Sequence, residues 1–389
     1  MKKFLFAITI IFYSISLQAQ DPTIINGSDS TRRVITTAVP FLTITPDSRA
    51  GGMGDVGAAT SPDANSTYWN PAKLVYIEND MGFAFSYTPW LGKIINDMAL
   101  IYLSGYYKFA KEQAVGLSMK YFDLGEIFFR DDVGNDNGTF NPREFTFDAT
   151  YSRMLTQRLG VGLTARYIHS NLTGNFNSSN ASAGTDARPG NSVAADVGVY
   201  YNKDLVLSGS NSNLALAAVI SNIGSKLTYS DENNRDFIPT NLRLGSAFTT
   251  DLDPYNKITF GLDFNKLLVP SPQFDNSEQD ESLLGGMFGS FADAEDGASE
   301  ELKEVTISAG AEYWYNDTFA ARVGYFHESE DKGDRKYLTL GLGFRYNVLG
   351  IDFAYLVPRE RTHPLAETLR FTLIFNFDQV EQEETSVTD

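Results

Sequence analysis

The chain has 389 residues, a formal charge of −18 and no cysteine. Without cysteine there are no disulfides, no thiolate metal sites and no cysteine nucleophile. The acidic balance excludes a nucleic-acid partner, because a phosphate backbone needs a basic surface.

Lys2 and Lys3 precede an apolar run from Phe4 to Leu17, and Leu17-Gln18-Ala19 ends on a small residue. This reads as a signal peptide over 1–19, too short for a membrane-spanning helix. The mature chain is expected to start near Gln20. Residues 20–80 show no alternation and are punctuated by Gly51-Gly52-Met53-Gly54, Pro62 and Asn70-Pro71. Such density of glycine and proline implies a compact irregular segment. Ahead of a long run of strands, we expect it to fold as a hatch inside a barrel lumen.

From residue 81 onward, apolar and polar residues alternate with period two. Leu338, Leu340, Leu342, Phe344 and Tyr346 share one strand face, opposite Thr339, Gly341, Gly343 and Arg345. Ile258, Phe260, Leu262 and Phe264 repeat the pattern, as do Val115, Leu117, Met119 and Tyr121. Successive strand side chains point to opposite faces, so each segment has one greasy wall and one polar wall. About fourteen such segments are read, over 81–91, 97–109, 113–129, 143–155, 158–171, 192–203, 213–229, 240–251, 257–268, 303–315, 318–328, 335–346, 349–358 and 367–378. Most are near the ten residues that cross a bilayer at a tilt.

Alternation alone also fits a soluble sandwich; the gaps decide. Tight connections alternate with long ones, the exception being a longer gap at 203–213. Outer-membrane barrels have short periplasmic turns and long outer loops. The fold class is therefore all-β, a transmembrane antiparallel β-barrel over 81–378, with the acidic segment 379–389 as a periplasmic tail. With 28 Phe and 20 Tyr, aromatics reach 13% of the chain, which suits the two interface girdles of such a barrel. Lumen-facing Arg243, Asp263 and Arg345 need partners, which the hatch would supply.

Chemistry is scarce. His169, His327 and His363 have no partner at metal-ligand spacing, and no nucleophile elbow, phosphate loop or zinc motif is present. Asn135, Asn137, Gly138 and Glu144 have calcium-loop spacing, but Val133 stands at the first ligand position and cannot coordinate. No metal, cofactor or catalytic residue is assigned. In the longest outer loop, Leu283, Leu284, Met287, Phe288 and Phe291 recur at spacings of three and four, flanked by acids. They would line one side of a short helix, as a cap on the barrel mouth or as a partner-docking patch.

Asp63-Ala64-Asn65 followed by Tyr68-Trp69-Asn70-Pro71-Ala72-Lys73-Leu74 resembles the signature of the FadL superfamily, fourteen-stranded outer-membrane barrels with an N-terminal hatch. Within it, Pro40-Phe41-Leu42-Thr43-Ile44 and Pro46-Asp47-Ser48-Arg49-Ala50-Gly51-Gly52-Met53-Gly54-Asp55 resemble the PorV branch of the type IX secretion system. The resemblance is sharp over about 40–90 and architectural beyond. It implies a non-catalytic carrier in the outer membrane that binds the C-terminal signal domain of secreted cargo. It further implies association with a large translocon barrel and delivery of cargo to a surface attachment complex. Asp63, Ala64, Asn70, Pro71 and Ala72 would then set hatch geometry. The alternative is a FadL-like diffusion channel for hydrophobic molecules, with Val56, Ala58, Ala59, Leu74 and Val75 lining an apolar pocket.

Overall fold

A computed structural model describes residues 34–90, 97–130, 136–172, 188–229, 235–271, 281–294, 296–358 and 368–378. The segment 1–19, His363, the tail 379–389 and part of the calcium-like loop lie outside the described residues.

Fourteen antiparallel strands close into a barrel. In chain order they are β1 (Met81–Pro89), β2 (Ala99–Ala110), β3 (Gln113–Asp123), β6 (Arg143–Thr156), β7 (Leu159–Asn171), β8 (Gly190–Leu207) and β9 (Ser210–Gly224). They continue as β10 (Asn241–Asp253), β11 (Asn256–Leu267), β12 (Thr306–Tyr315), β13 (Phe319–His327), β14 (Lys336–Tyr346), β15 (Leu349–Pro358) and β16 (Leu369–Phe377). Each pairs with its sequence neighbour, and β1 meets β16 in a register running from Met81↔Phe377 to Tyr87↔Phe371. Closure leaves no open strand edge, so the ladders run from strand to strand around the ring. No described helix is long and apolar enough to cross a membrane.

Two details differ from the sequence reading. The strand expected over 113–129 ends at Asp123, whose carboxylate accepts the Gly125 amide at 3.0 Å while Gly125 takes φ +81°. An Asx turn of this kind ends pairing. The chain then forms a separate hairpin, β4 (Ile127–Arg130) with β5 (Asp136–Phe140), so β3 pairs directly with β6. The gap expected at 203–213 is a tight turn instead. Ser208 and Gly209 both adopt positive φ, +52° and +88°, the twist a two-residue hairpin turn requires. The connections now alternate without exception. The short turns are 111–112, 157–158, 208–209, 254–255, 316–318 and 347–348; each long loop opens at the opposite end.

Outward side chains are apolar, with Leu117 69%, Leu163 56%, Val193 63%, Phe260 53% and Leu342 63% exposed. Inward neighbours such as Thr164, Asp196, Asp263, Ser308, Glu312, Thr339 and Asp352 are buried. Polar inside and greasy outside is the inverse of a soluble core, and matches a hydrocarbon solvent.

Most of residues 38–77 are buried and pack against the inward faces of the strands. The helical turn α1 (Ser48–Gly51) packs against β14, β15 and β16, while the 3₁₀ turn Pro71–Tyr76 packs against β3, β6, β7 and β8 on the other wall. Two wall regions are shaped for it. A Cβ on Gly162 would stand 2.3 Å from the Pro71 carbonyl carbon, and one on Gly324 would stand 2.0 Å from the Gly54 nitrogen. Only glycine lets backbone approach backbone this closely.

Candidate functional site

The N-terminal segment is fixed by charges that the strand alternation turns inward. Arg49 donates Nε–H to Glu312 at 3.0 Å and Nη2–H at 2.8 Å, and Nη1–H to Asp63 at 3.0 Å. Glu312 also accepts from Arg322 at 2.7 Å, and Arg322 donates to Asp352 at 2.8 Å. Arg345 closes the series on Asp352 at 2.7 Å. Signs alternate along Asp63, Arg49, Glu312, Arg322, Asp352 and Arg345, so the network is neutral although most of it is buried. Unpaired charges there would be prohibitively costly. Asp263 accepts the Gly57 and Ala58 amides, each at 2.9 Å. Arg370 pairs with Asp55 at 3.0 Å. Lys120 donates to the Leu42 and Ile44 carbonyls at 3.2 and 2.5 Å and lies 4.6 Å above the Tyr68 ring.

The motif residues fall within this arrangement. The Asn70 Oδ1 accepts the Ala72 amide at 3.0 Å, capping the turn that begins with Pro71, and its Nδ2 donates to Val199 O on β8 at 3.1 Å. Asp63 accepts the Asn65 amide at 2.9 Å as well as Arg49, and Ala64 is fully buried. Val56, Ala58, Ala59, Leu74 and Val75 are buried too. Ala58 and Ala59 pack with Tyr200 and Ala247 of the wall, and Leu74 and Val75 with Tyr106 and Ala114.

On the long-loop side of this segment lies a cavity of about 420 Å³. Its floor includes Leu42, Tyr68 and Trp69; its walls include Arg243, Asn265 and Tyr337. Val56, Ala58, Ala59, Leu74 and Val75 take no part in its lining.

The longest outer loop carries two short helices, α2 (Leu283–Gly289) and α3 (Ala298–Lys303). Ser282 caps α2 by accepting the Gly285 amide at 3.1 Å. The five apolar residues do not share one side. Met287 is 6% exposed and Leu283 half-buried, whereas Leu284, Phe288 and Phe291 are 60%, 73% and 48% exposed. The split follows from Gly286, where a Cβ would meet the Phe237 ring at 2.9 Å. Close seating on Phe237 turns Met287 inward and Leu284 and Phe288 outward. Leu302, on α3, is also 74% exposed.

Beneath these helices sits an ionic cluster that the sequence did not reveal. Glu304 accepts from Lys266 at 2.5 Å, Ser271 at 2.6 Å and Lys332 at 2.9 Å. Burial works to raise the Glu304 carboxyl, but these hydrogen bonds outweigh it and hold the group below its ordinary value. Burial likewise works to lower Lys332, and its bonds to Glu300 and Glu304 raise it instead. Ligand oxygens of Asp293, Glu301 and Glu304 approach within 4.8 Å of one another. Lys266 already pairs with Glu301 and Glu304, so the positive charge a cation would supply is in place. Of the histidines, His169 is hydrogen-bonded to Asn191 at 2.8 Å and meets the Phe145 ring at a tilt, and His327 lies near Tyr325.

The family model of type IX secretion system protein PorV matches residues 27–274. No curated protein matches the chain. Among solved structures, it is similar to the Ralstonia pickettii toluene transporter TbuX, at 14% identity over 86% of this chain and 98% of that one, with a TM-score of 0.46. It is also similar to the Pseudomonas putida toluene transporter TodX, at 11% identity over 84% and 95%, with a TM-score of 0.45. A Pseudomonas aeruginosa FadL homologue matches at 11% identity over 86% and 99%, with a TM-score of 0.44.

Proposed function

Because the chain belongs to the family of type IX secretion system protein PorV, an outer-membrane barrel of that system, we propose that it is a docking platform for secreted proteins. In this reading it binds the C-terminal signal domain of cargo at a large translocon barrel and carries it to the surface attachment complex. Residues 38–77 act as a fixed hatch, and binding takes place on the long-loop side.

The observation that carries this reading is the exposure of Leu284, Phe288 and Phe291 on an outer loop, beside exposed acids such as Glu281 and Asp296. An apolar patch with a charged rim, on an element anchored by Met287 and Phe237, has the character of a protein-docking surface. The acidic rim favours a partner with basic residues around its own apolar face. A diffusion channel for hydrophobic molecules would need an apolar route past the hatch. The charge network and the packed Val56, Ala58, Ala59, Leu74 and Val75 oppose one.

The test is a mild-detergent pull-down of tagged protein from outer membranes, comparing the native chain with a Leu284→Ser, Phe288→Ser, Phe291→Ser variant. We expect a very large barrel, or proteins sharing a C-terminal domain, to co-purify with the native chain and to be depleted with the variant. Recovery of the native barrel alone with bound lipid would reject the reading. Equal recovery by both chains would remove the patch from it.

A further inference from the structure

Among the described residues, the cavity above the hatch contains one cation that makes no direct ion pair, Arg243, whose charge is felt by the buried Asp263 carboxylate. The inward arginines Arg49, Arg166, Arg322, Arg345 and Arg370 each make an ion pair at 2.7–3.0 Å. Arg243, on β10, makes none among the described residues. It donates Nε–H to Asn265 Oδ1 at 2.6 Å and lies 4.5 Å over the Trp69 ring and 5.9 Å over Tyr68. Trp69 is itself fixed by Asp47, which accepts its indole N–H at 2.6 Å. The guanidinium thus lies over an immobilised aromatic floor and is also hydrogen-bonded to the Tyr68 side chain, with no other partner for its terminal nitrogens among the described residues.

We propose that this cavity is a carboxylate-binding site, in which Arg243 takes a carboxylate carried on an extended peptide segment that enters from the long-loop side. A guanidinium fork matches a carboxylate in two parallel bonds, and a preorganised fork loses little freedom on binding. The rest of the lining favours peptide over an acyl chain. Asn265 gives its oxygen to Arg243; among the described residues its amide N–H groups and the Asn241 side chain show no partner, and Ser308 Oγ is buried without one. Amide and hydroxyl groups suit the backbone of a peptide, and an acyl chain would leave them unpaired. Such an occupant would meet the barrel between its loops, where cargo docks in the function proposed above. The inference rests on that function only for the source of the peptide.

The experiment is calorimetric titration of the full-length protein in detergent with four probes. These are acetyl-Gly-Ala-Gly with a free carboxylate, the same peptide as its amide, acetyl-Gly-Asp-Gly amide, and decanoate. Either or both carboxylate peptides should bind at least about tenfold more tightly than the neutral amide, the worth of one charge-assisted contact. Preference for the first marks a chain terminus, and preference for the third an acidic side chain. Arg243→Gln should abolish the difference, and Arg243→Lys, which keeps the charge but not the fork, should keep part of it. If Arg243→Gln fails the gel-shift test of a closed barrel, the Arg243→Lys titration decides alone, and an unreduced preference there overturns the site. Equal binding of the neutral amide, binding unaffected by Arg243→Gln, or binding confined to decanoate would each overturn it. Because purified protein is used, failure here is separate from failure of the pull-down.

Discussion

Replacing Glu312 by Gln removes one charge from the centre of the hatch network and changes almost no volume. Glu312 accepts three charge-assisted hydrogen bonds, two from Arg49 and one from Arg322, at 2.7–3.0 Å. Its side chain is 1% exposed, and those of Arg49 and Arg322 are 9% and 0%. An amide offers one oxygen to these donors and turns an NH₂ group toward a guanidinium. Breaking a buried pair in this way costs about 3–5 kcal/mol, on the order of a hundred- to several thousand-fold in the equilibrium that holds residues 38–77 in place. Trp314 reports the event directly, because Arg322 and Arg345 lie 5.5 and 5.4 Å over its ring. We expect the urea midpoint of tryptophan emission to fall clearly for Glu312→Gln. For Asp317→Asn it should hardly move, since the Lys257–Asp317 pair is 39% and 78% exposed and worth at most about 1 kcal/mol. Adding Arg49→Met to Glu312→Gln makes the network neutral again, so the double variant should lose less than the sum of its parts. Equal midpoints for Glu312→Gln and Asp317→Asn would refute the claim that this network fixes the hatch.

Gly162→Val should prevent the hatch from seating, because its Cβ would stand 2.3 Å from Pro71 backbone. Gly105→Ala, whose nearest neighbour would be 3.4 Å away, should be tolerated; the readout is the fraction of chain whose gel migration changes on boiling. Asn70→Ala should cost about 1–2 kcal/mol through the lost cap and the lost bond to Val199, while Asn70→Asp restores the cap oxygen and recovers part of the urea midpoint. The outer loop should be ordered on a pH plateau. Glu304 stabilises it fully above its ordinary 4.5 and loses that contribution as pH falls through its depressed value. Lys332 stabilises it fully below its ordinary 10.5 and loses that contribution as pH climbs through its raised value. Asp293, raised mainly by burial, opposes the acid-side loss, so Asp293→Asn should sharpen it. The chain has no cysteine, so a nitroxide on Ser299→Cys reports loop mobility without background; mobility independent of pH would refute the ionic account.

Much of the barrel was legible in the sequence because a lipid-facing strand leaves a local record. Leu338 to Tyr346 alternate greasy and polar whatever their neighbours do, and this one-dimensional pattern follows from the pleat. The turn at Asn70-Pro71 is local for the same reason: Asn70 caps the turn that Pro71 starts, a contact between residues two apart. What the sequence could not contain is which inward polar residue meets which. Arg49 and Glu312 are 263 positions apart, and only closure of the barrel brings them together. The short turn at Ser208-Gly209 was hidden because β8 and β9 run past the membrane-crossing length, with polar residues where alternation fades. The spacing of Leu283 to Phe291 announced a helix, but only Phe237 and Pro270, packed against Gly286, decided which apolar side chains were buried and which were exposed. Period and spacing determined the strands and the apolar loop helix. Tertiary structure alone decided the pairing of buried charges and left Arg243 without a direct ion pair among the described residues, since a charge in a low-dielectric interior is defined by its nearest counter-charge.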